Sequence, residues 1–145
     1  MTNWSADITA IGALVRASVD SVSGSGTVPA GTLGVERGWR EPERISVDEL
    51  PHVFIFDPRS TEVAIDFAQA EVTSTYRVEL WADATQALVS SWRDAIVADV
   101  AVDPTLGGTV DRFRLTASGI LESFPNDDRD RRVLILEFST LTVEG

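Results

Sequence analysis

The chain has 145 residues, no cysteine, and 23 acidic against 12 basic residues, a formal net charge of −11. That length suits one domain with a full core, and 43% hydrophobic with 24% charged residues is the composition of a folded rather than a disordered chain. Disulfides and thiolate metal sites are excluded, the negative surface argues against sequence-specific nucleic-acid binding, and neither a basic leader nor an apolar run of about 18 residues is present. The expectation is a protein made and used in the cytosol, or in a particle assembled there. All twelve basic residues are arginines, consistent with coding bias or with adaptation to high salt.

In chain order, Ile8, Ile11, Val15, Val19 and Val22 recur at spacings of three and four, which predicts a helix from about Ser5 to Val22. Asn3 or Ser5 can cap it, and Asp7 suits its first turn. Ser23-Gly24-Ser25-Gly26 ends the helix and opens a flexible loop over about 23–34. Extended structure follows. A short strand is expected from Leu33 to Trp39, then a polar stretch at Glu41-Pro42-Glu43, then a buried strand from Pro51 to Phe56. Asp57-Pro58-Arg59-Ser60 reads as a turn, and Thr61 to Phe67 as another strand.

Glu71 to Trp81 carries the clearest alternation. Val72, Tyr76, Val78 and Leu80 share one face with Ser74, while Glu71, Thr73, Thr75, Arg77 and Glu79 share the other. A second helix is expected from about Ala84 to Val102, capped by Asp83, with Leu88, Trp92, Ile96 and Val100 inward and Asp103-Pro104 ending it. The C-terminus reads as a long hairpin. One arm runs from Val110 to about Phe124 with a bulge at Gly119, the turn is Pro125 to Asp128, and the return arm is Arg131 to Val143. Val133, Ile135 and Leu141 face one way on that arm, and Leu134, Leu136 and Phe138 the other. Apolar residues on both faces predict a strand covered on both sides, by helices or by a neighbouring subunit. The pattern predicts a single α+β domain over 1–145, a mostly antiparallel sheet with two main helices packed on it.

No catalytic, cofactor-binding or metal constellation emerges. His52 is the one histidine, and no cysteine or nucleophile elbow accompanies it, so a structural role fits it best. Asn126-Asp127-Asp128-Arg129-Asp130 resembles the start of a calcium loop but lacks the central glycine and distal glutamate, which favours a solvated turn. Gly24, Gly26, Gly31 and Gly34 follow a helix and have no lysine beside them, unlike a phosphate-binding loop. Arg129, Arg131 and Arg132 are interleaved with acids and read as a solvated hairpin end. Positive mean hydropathy of +0.04 together with strong negative charge suits a protein that completes its burial in an oligomer.

One stretch carries a resemblance. Ser91-Trp92-Arg93-Asp94-Ala95-Ile96-Val97-Ala98, then Asp103-Pro104-Thr105-Leu106-Gly107-Gly108, then Thr109-Val110-Asp111-Arg112-Phe113-Arg114-Leu115-Thr116 resembles the helix, turn and strand of tail-terminator (tail-completion) proteins of tailed bacteriophages. The 76–81 strand and the Arg131 to Phe138 strand are similar too, and Trp39 with Pro51 to Phe56 fit the family's first strands loosely. The resemblance implies a non-enzymatic virion protein without cofactor or metal, a homo-hexameric ring at the tail–neck junction. It would cap the tail tube, stop its polymerisation and offer a surface to a head-closure (stopper) protein, with genome DNA passing through the lumen and no membrane contact. Glu71, Glu79 and Asp111 are candidates for an acidic lumen. Another neck protein, or a small acidic ligand-binding or hydrolytic α+β domain, is the alternative.

Overall fold

The computed structural model describes residues 4–22, 33–38, 50–121 and 131–144. Asn3, the glycine-rich run up to Gly31, Trp39, the Glu41-Pro42-Glu43 stretch and the 125–130 turn with its calcium-like pattern and Arg129 lie outside the described residues. The order of elements is α1 (Trp4–Val22), β1 (Gly34–Arg37), β2 (His52–Ile55), β3 (Arg59–Ala64), β4 (Ala70–Asp83), α2 (Gln86–Ala101), β5 (Arg112–Leu121) and β6 (Arg131–Glu144). The strands form one six-stranded sheet in the order β1-β2-β4-β6-β5, with β3 on β4. Only β1 and β2 run parallel; the other pairings are antiparallel. This is the expected α+β domain.

The two 14-residue strands β4 and β6 are the spine, aligned without a break from Ala70 opposite Glu144 to Asp83 opposite Arg131. On one neighbouring side β4 is shared: β2 covers Val78 to Trp81 and β3 covers Ala70 to Thr75. The link at 56–58 lets the chain leave one pairing and resume the other, and the Phe56 amide still donates to the Arg77 carbonyl at 3.0 Å.

Both helices cover one sheet face. Ile8, Ile11, Val15 and Val19 of α1 and Val89, Trp92, Ile96 and Val100 of α2 are buried against Val53, Ile55, Tyr76, Val78, Leu80, Leu134, Leu136 and Phe138. Burying side chains of this size contributes about 1.5–3 kcal/mol each. Gly12 lets α1 approach closely, since a Cβ there would meet Val35 Cγ1 at 2.9 Å. The Ser18 hydroxyl donates to Asp99 across the two helices at 2.6 Å, and Arg16 holds the Leu33 carbonyl with two bonds of 2.8 and 3.1 Å.

Several expectations are corrected. Gly34 begins β1 rather than ending a loop, and Arg59 and Ser60 already belong to β3. That strand stops at Ala64, and 65–69 forms a hairpin turn. Ser5 lies inside α1, with its carbonyl accepting from the Thr9 hydroxyl, so it is not the cap. Thr85 caps α2, accepting from the Leu88 amide at 3.3 Å, whereas Asp83 closes β4. Val89 takes the buried place expected of Leu88. The irregularity in β5 falls at Thr116, between Leu115 and Ala117, and Gly119 pairs regularly with Ile135. Thr116 replaces the lost ladder bond with its hydroxyl, which reaches the Glu137 carbonyl at 3.1 Å.

The turn between α2 and β5 follows the expected chemistry. Leu106, Gly107 and Gly108 have φ values of 50°, 64° and 85°, a left-handed run that glycine takes without strain. The Asp103 carboxylate accepts the Gly107 amide at 2.7 Å, and Leu106 points inward and is buried. Val110 fills the core below the turn, and the strand begins at Arg112 rather than at Val110.

Candidate functional site

The face of the sheet away from the helices is unevenly covered. At the β1–β2 end Phe54, Trp81 and Val133 form a small second core, with Leu50 and Ile135 beside it. Glu79 lies in its wall at 7% exposure. Its two oxygens accept from Arg77 Nε at 2.8 Å and from Trp81 Nε1 at 3.2 Å. The carboxylate is therefore a bracket for the tryptophan. His52 stands next to Phe54, ring centroids 4.8 Å apart, with Nε2 3.4 Å from a Glu36 oxygen. Its ring fills the place of a side chain at Gly34, where a Cβ would fall 2.4 Å from Nδ1. No nucleophile stands among these contacts, and the arrangement packs an edge of the sheet.

The other acidic candidates separate as well. Asp111 accepts the Val143 amide at 2.7 Å and sits where β5 joins β6, so its carboxylate is used in the ladder. Glu71 lies near the far end of β4, eight residues from Glu79 on the same face. Arg131 and Arg132 sit on opposite faces of β6, and Arg132 Nη1 donates to the Ala84 carbonyl at 2.7 Å, tying β6 to the start of α2.

One buried polar pair was visible in the sequence only as two separate residues. Asp7, at 2% exposure, accepts the Tyr76 hydroxyl at 2.7 Å. Burial raises the Asp7 pKa above its ordinary 3.8, and the tyrosine hydrogen bond opposes that in part. Burial, and then the bond to Asp7, raise the Tyr76 pKa in turn. A single carboxyl donating to or accepting from one phenol orients α1 on the sheet; hydrolysis would need a second carboxylate converging on a pocket. Among the described residues no group of three His, Asp or Glu side chains is placed to hold a metal ion. Among them also, no helix is long and apolar enough to cross a membrane.

What the surface does offer is apolar relief. The β3–β4 hairpin extends past the helices, and every β3 residue is exposed. Val63 and Ile65 are more than half exposed, and Phe67 at the tip is 112% exposed. The tip is shaped by Asp66, whose carboxylate accepts the Ala68 and Gln69 amides at 2.7 and 2.9 Å. The strand expected to reach Phe67 stops at Ala64; an aspartate between two alternating runs is the sign of a turn that the sequence carries there. Across the sheet, a groove of about 600 Å³ runs between α2 and the edge strand β5, lined by Val97, Val100, Ala101 and Leu115 with Arg114 at its side. A second groove of about 540 Å³ lies between α1 and the end of α2, lined by Leu14, Val102 and Leu106 together with Asp99 and Asp103.

No protein-family profile and no curated protein matches the chain. Among solved structures, a chain of the virion of a native gene transfer agent particle is similar over 90% of this chain and 94% of its own length, at 15% identity and a TM-score of 0.42. At that identity and score, the likeness bears on neither chemistry nor partners.

Proposed function

We propose that this protein is a structural subunit of a tailed-phage or phage-like particle, and within it a tail terminator. In this reading it is a homo-hexameric ring that caps the tail tube, halts its growth and presents a joining surface to a head-closure protein. The observation that carries the reading is the 91–116 segment. The sequence there resembles the terminator family, and in the fold the same residues form the later part of helix α2, the left-handed 106–108 turn and the entry to β5. The exposed apolar hairpin and the apolar α2–β5 groove support work done by contact between surfaces rather than on a small molecule.

The acidic lumen belongs to the same proposal, with Glu71 its remaining candidate, because Glu79 and Asp111 are committed to bonds within the subunit. DNA passing such a ring would meet like charge rather than a binding site.

Two experiments test the role. Purified protein added to isolated tail tubes is expected at one tube end in negative-stain images, and particles made without it are expected to carry tails of uncontrolled length or tails unattached to heads. Finished tails beside leaking heads would assign the protein to the head-closure position instead. Normal particles would remove it from the virion altogether.

A further inference from the structure

We propose that copies of this chain join head to tail, with the β3–β4 hairpin tip of one copy seated in the α2–β5 groove of the next. The arm and the groove are both apolar and both uncovered: Phe67, Ile65 and Val63 on one side, Val97, Ala101 and Leu115 on the other. They lie on opposite edges of the sheet. β3 is separated from β5 by β4 and β6, about 14 Å of strand spacing, so the arm meets a neighbour's groove rather than its own.

Charge selects this groove over the other. The hairpin carries Glu62, Asp66 and Glu71, and Glu144 lies beside its tip, opposite Ala70. Arg114 lines the β5 side of the groove, exposed and without an ion-pair partner among the described residues. The α1–α2 groove presents Asp99 and Asp103, which would repel the same arm. An acidic apolar arm fits a basic-edged apolar groove, and complementary charge fixes the register of such contacts more than their strength. Because the two surfaces differ, the contact is heterologous and repeats until it closes or runs on.

This inference deepens the ring reading and rests on it for closure, but its test needs no tail tube. The chain has no cysteine, so engineered thiols report one contact only. The double variant Phe67→Cys/Val97→Cys is expected to give a ladder of disulfide-linked chains under mild oxidation, and either single variant to give none. In sedimentation velocity, Phe67→Asp and Val97→Asp should each weaken self-association on the order of 30-fold, as loss of a central anchor does. Mixed one to one, they should form a heterodimer and nothing larger, since one arm and one groove remain intact. Both sites are exposed, and an unchanged circular dichroism spectrum checks the fold. A Phe67→Cys variant that cross-links alone, a Val97→Asp variant that associates as the parent does, or a parent that stays monomeric at all concentrations would each overturn the proposal. Rings that form through this contact yet ignore tail tubes would refute the terminator role and leave the contact standing.

Discussion

Tyr76 and Phe67 lie nine residues apart on one hairpin and meet opposite fates. Tyr76 sits in the helix-covered half of β4, fully buried, with its hydroxyl on Asp7. Phe67 stands at the tip where the hairpin has outrun the helices, with its ring in solvent. The residue types are alike; what differs is whether α1 and α2 reach that far. The covered half holds the fold together. In the uncovered half, apolar surface left over after folding is available to another chain.

The contrast can be tested by removing one aromatic from each half and reading stability. Trp92→Ala, which empties the contact between α2 and the sheet, should cost about 3–5 kcal/mol in chemical denaturation; a loss under about 1 kcal/mol would mean the helices do not carry the core. Tyr76→Phe should cost about 1–3 kcal/mol by leaving the buried Asp7 carboxyl without its donor. The same pair sets a pH dependence. The folded chain holds the Asp7 proton more tightly than the unfolded chain does, because burial raises its pKa. Its contribution is therefore most favourable at low pH and declines as pH rises from about 3.8 through the raised value. Asp7→Asn keeps an acceptor for Tyr76 and removes the charge, so its stability difference from the parent should grow in the variant's favour across that window in denaturation curves taken at successive pH values. A constant difference would mean Asp7 is not titrating where it is buried. The smallest effect belongs to the tip: Phe67→Ser should move the stability of the isolated subunit by less than about 0.5 kcal/mol, and a larger loss would place the ring inside the fold after all.

Much of the covered half was legible because local period reports burial. The 3–4 spacing of Ile8, Ile11, Val15 and Val19 and the alternation of Val72, Ser74, Tyr76, Val78 and Leu80 each mark the face that turns inward. Ser74 breaks the apolar series without breaking the strand, since its hydroxyl pairs with that of Ser60 at 2.8 Å. Period could not say which strand lies beside which. The parallel β1–β2 pair, the division of β4 between β2 and β3, and the bulge at Thr116 rather than Gly119 all depend on partners far along the chain. β6 is apolar on both faces, but only the Leu134, Leu136 and Phe138 face meets helices. On the other, Val133 joins Trp81 and Phe54, and Val143 remains exposed. Glu79 and Asp111 show the same limit at the level of chemistry, because composition marks a carboxylate without telling whether a tryptophan or a backbone amide already uses it.

The unbroken pairing of β4 with β6 also has a mechanical side. Fourteen residue pairs in register make a twisted ribbon about 45 Å long. A pull on the hairpin tip along the strands would load the rungs of that ribbon together, in shear, instead of peeling them one after another. Force entering at Phe67 would thus spread through the width of the subunit before any single hydrogen bond had to yield.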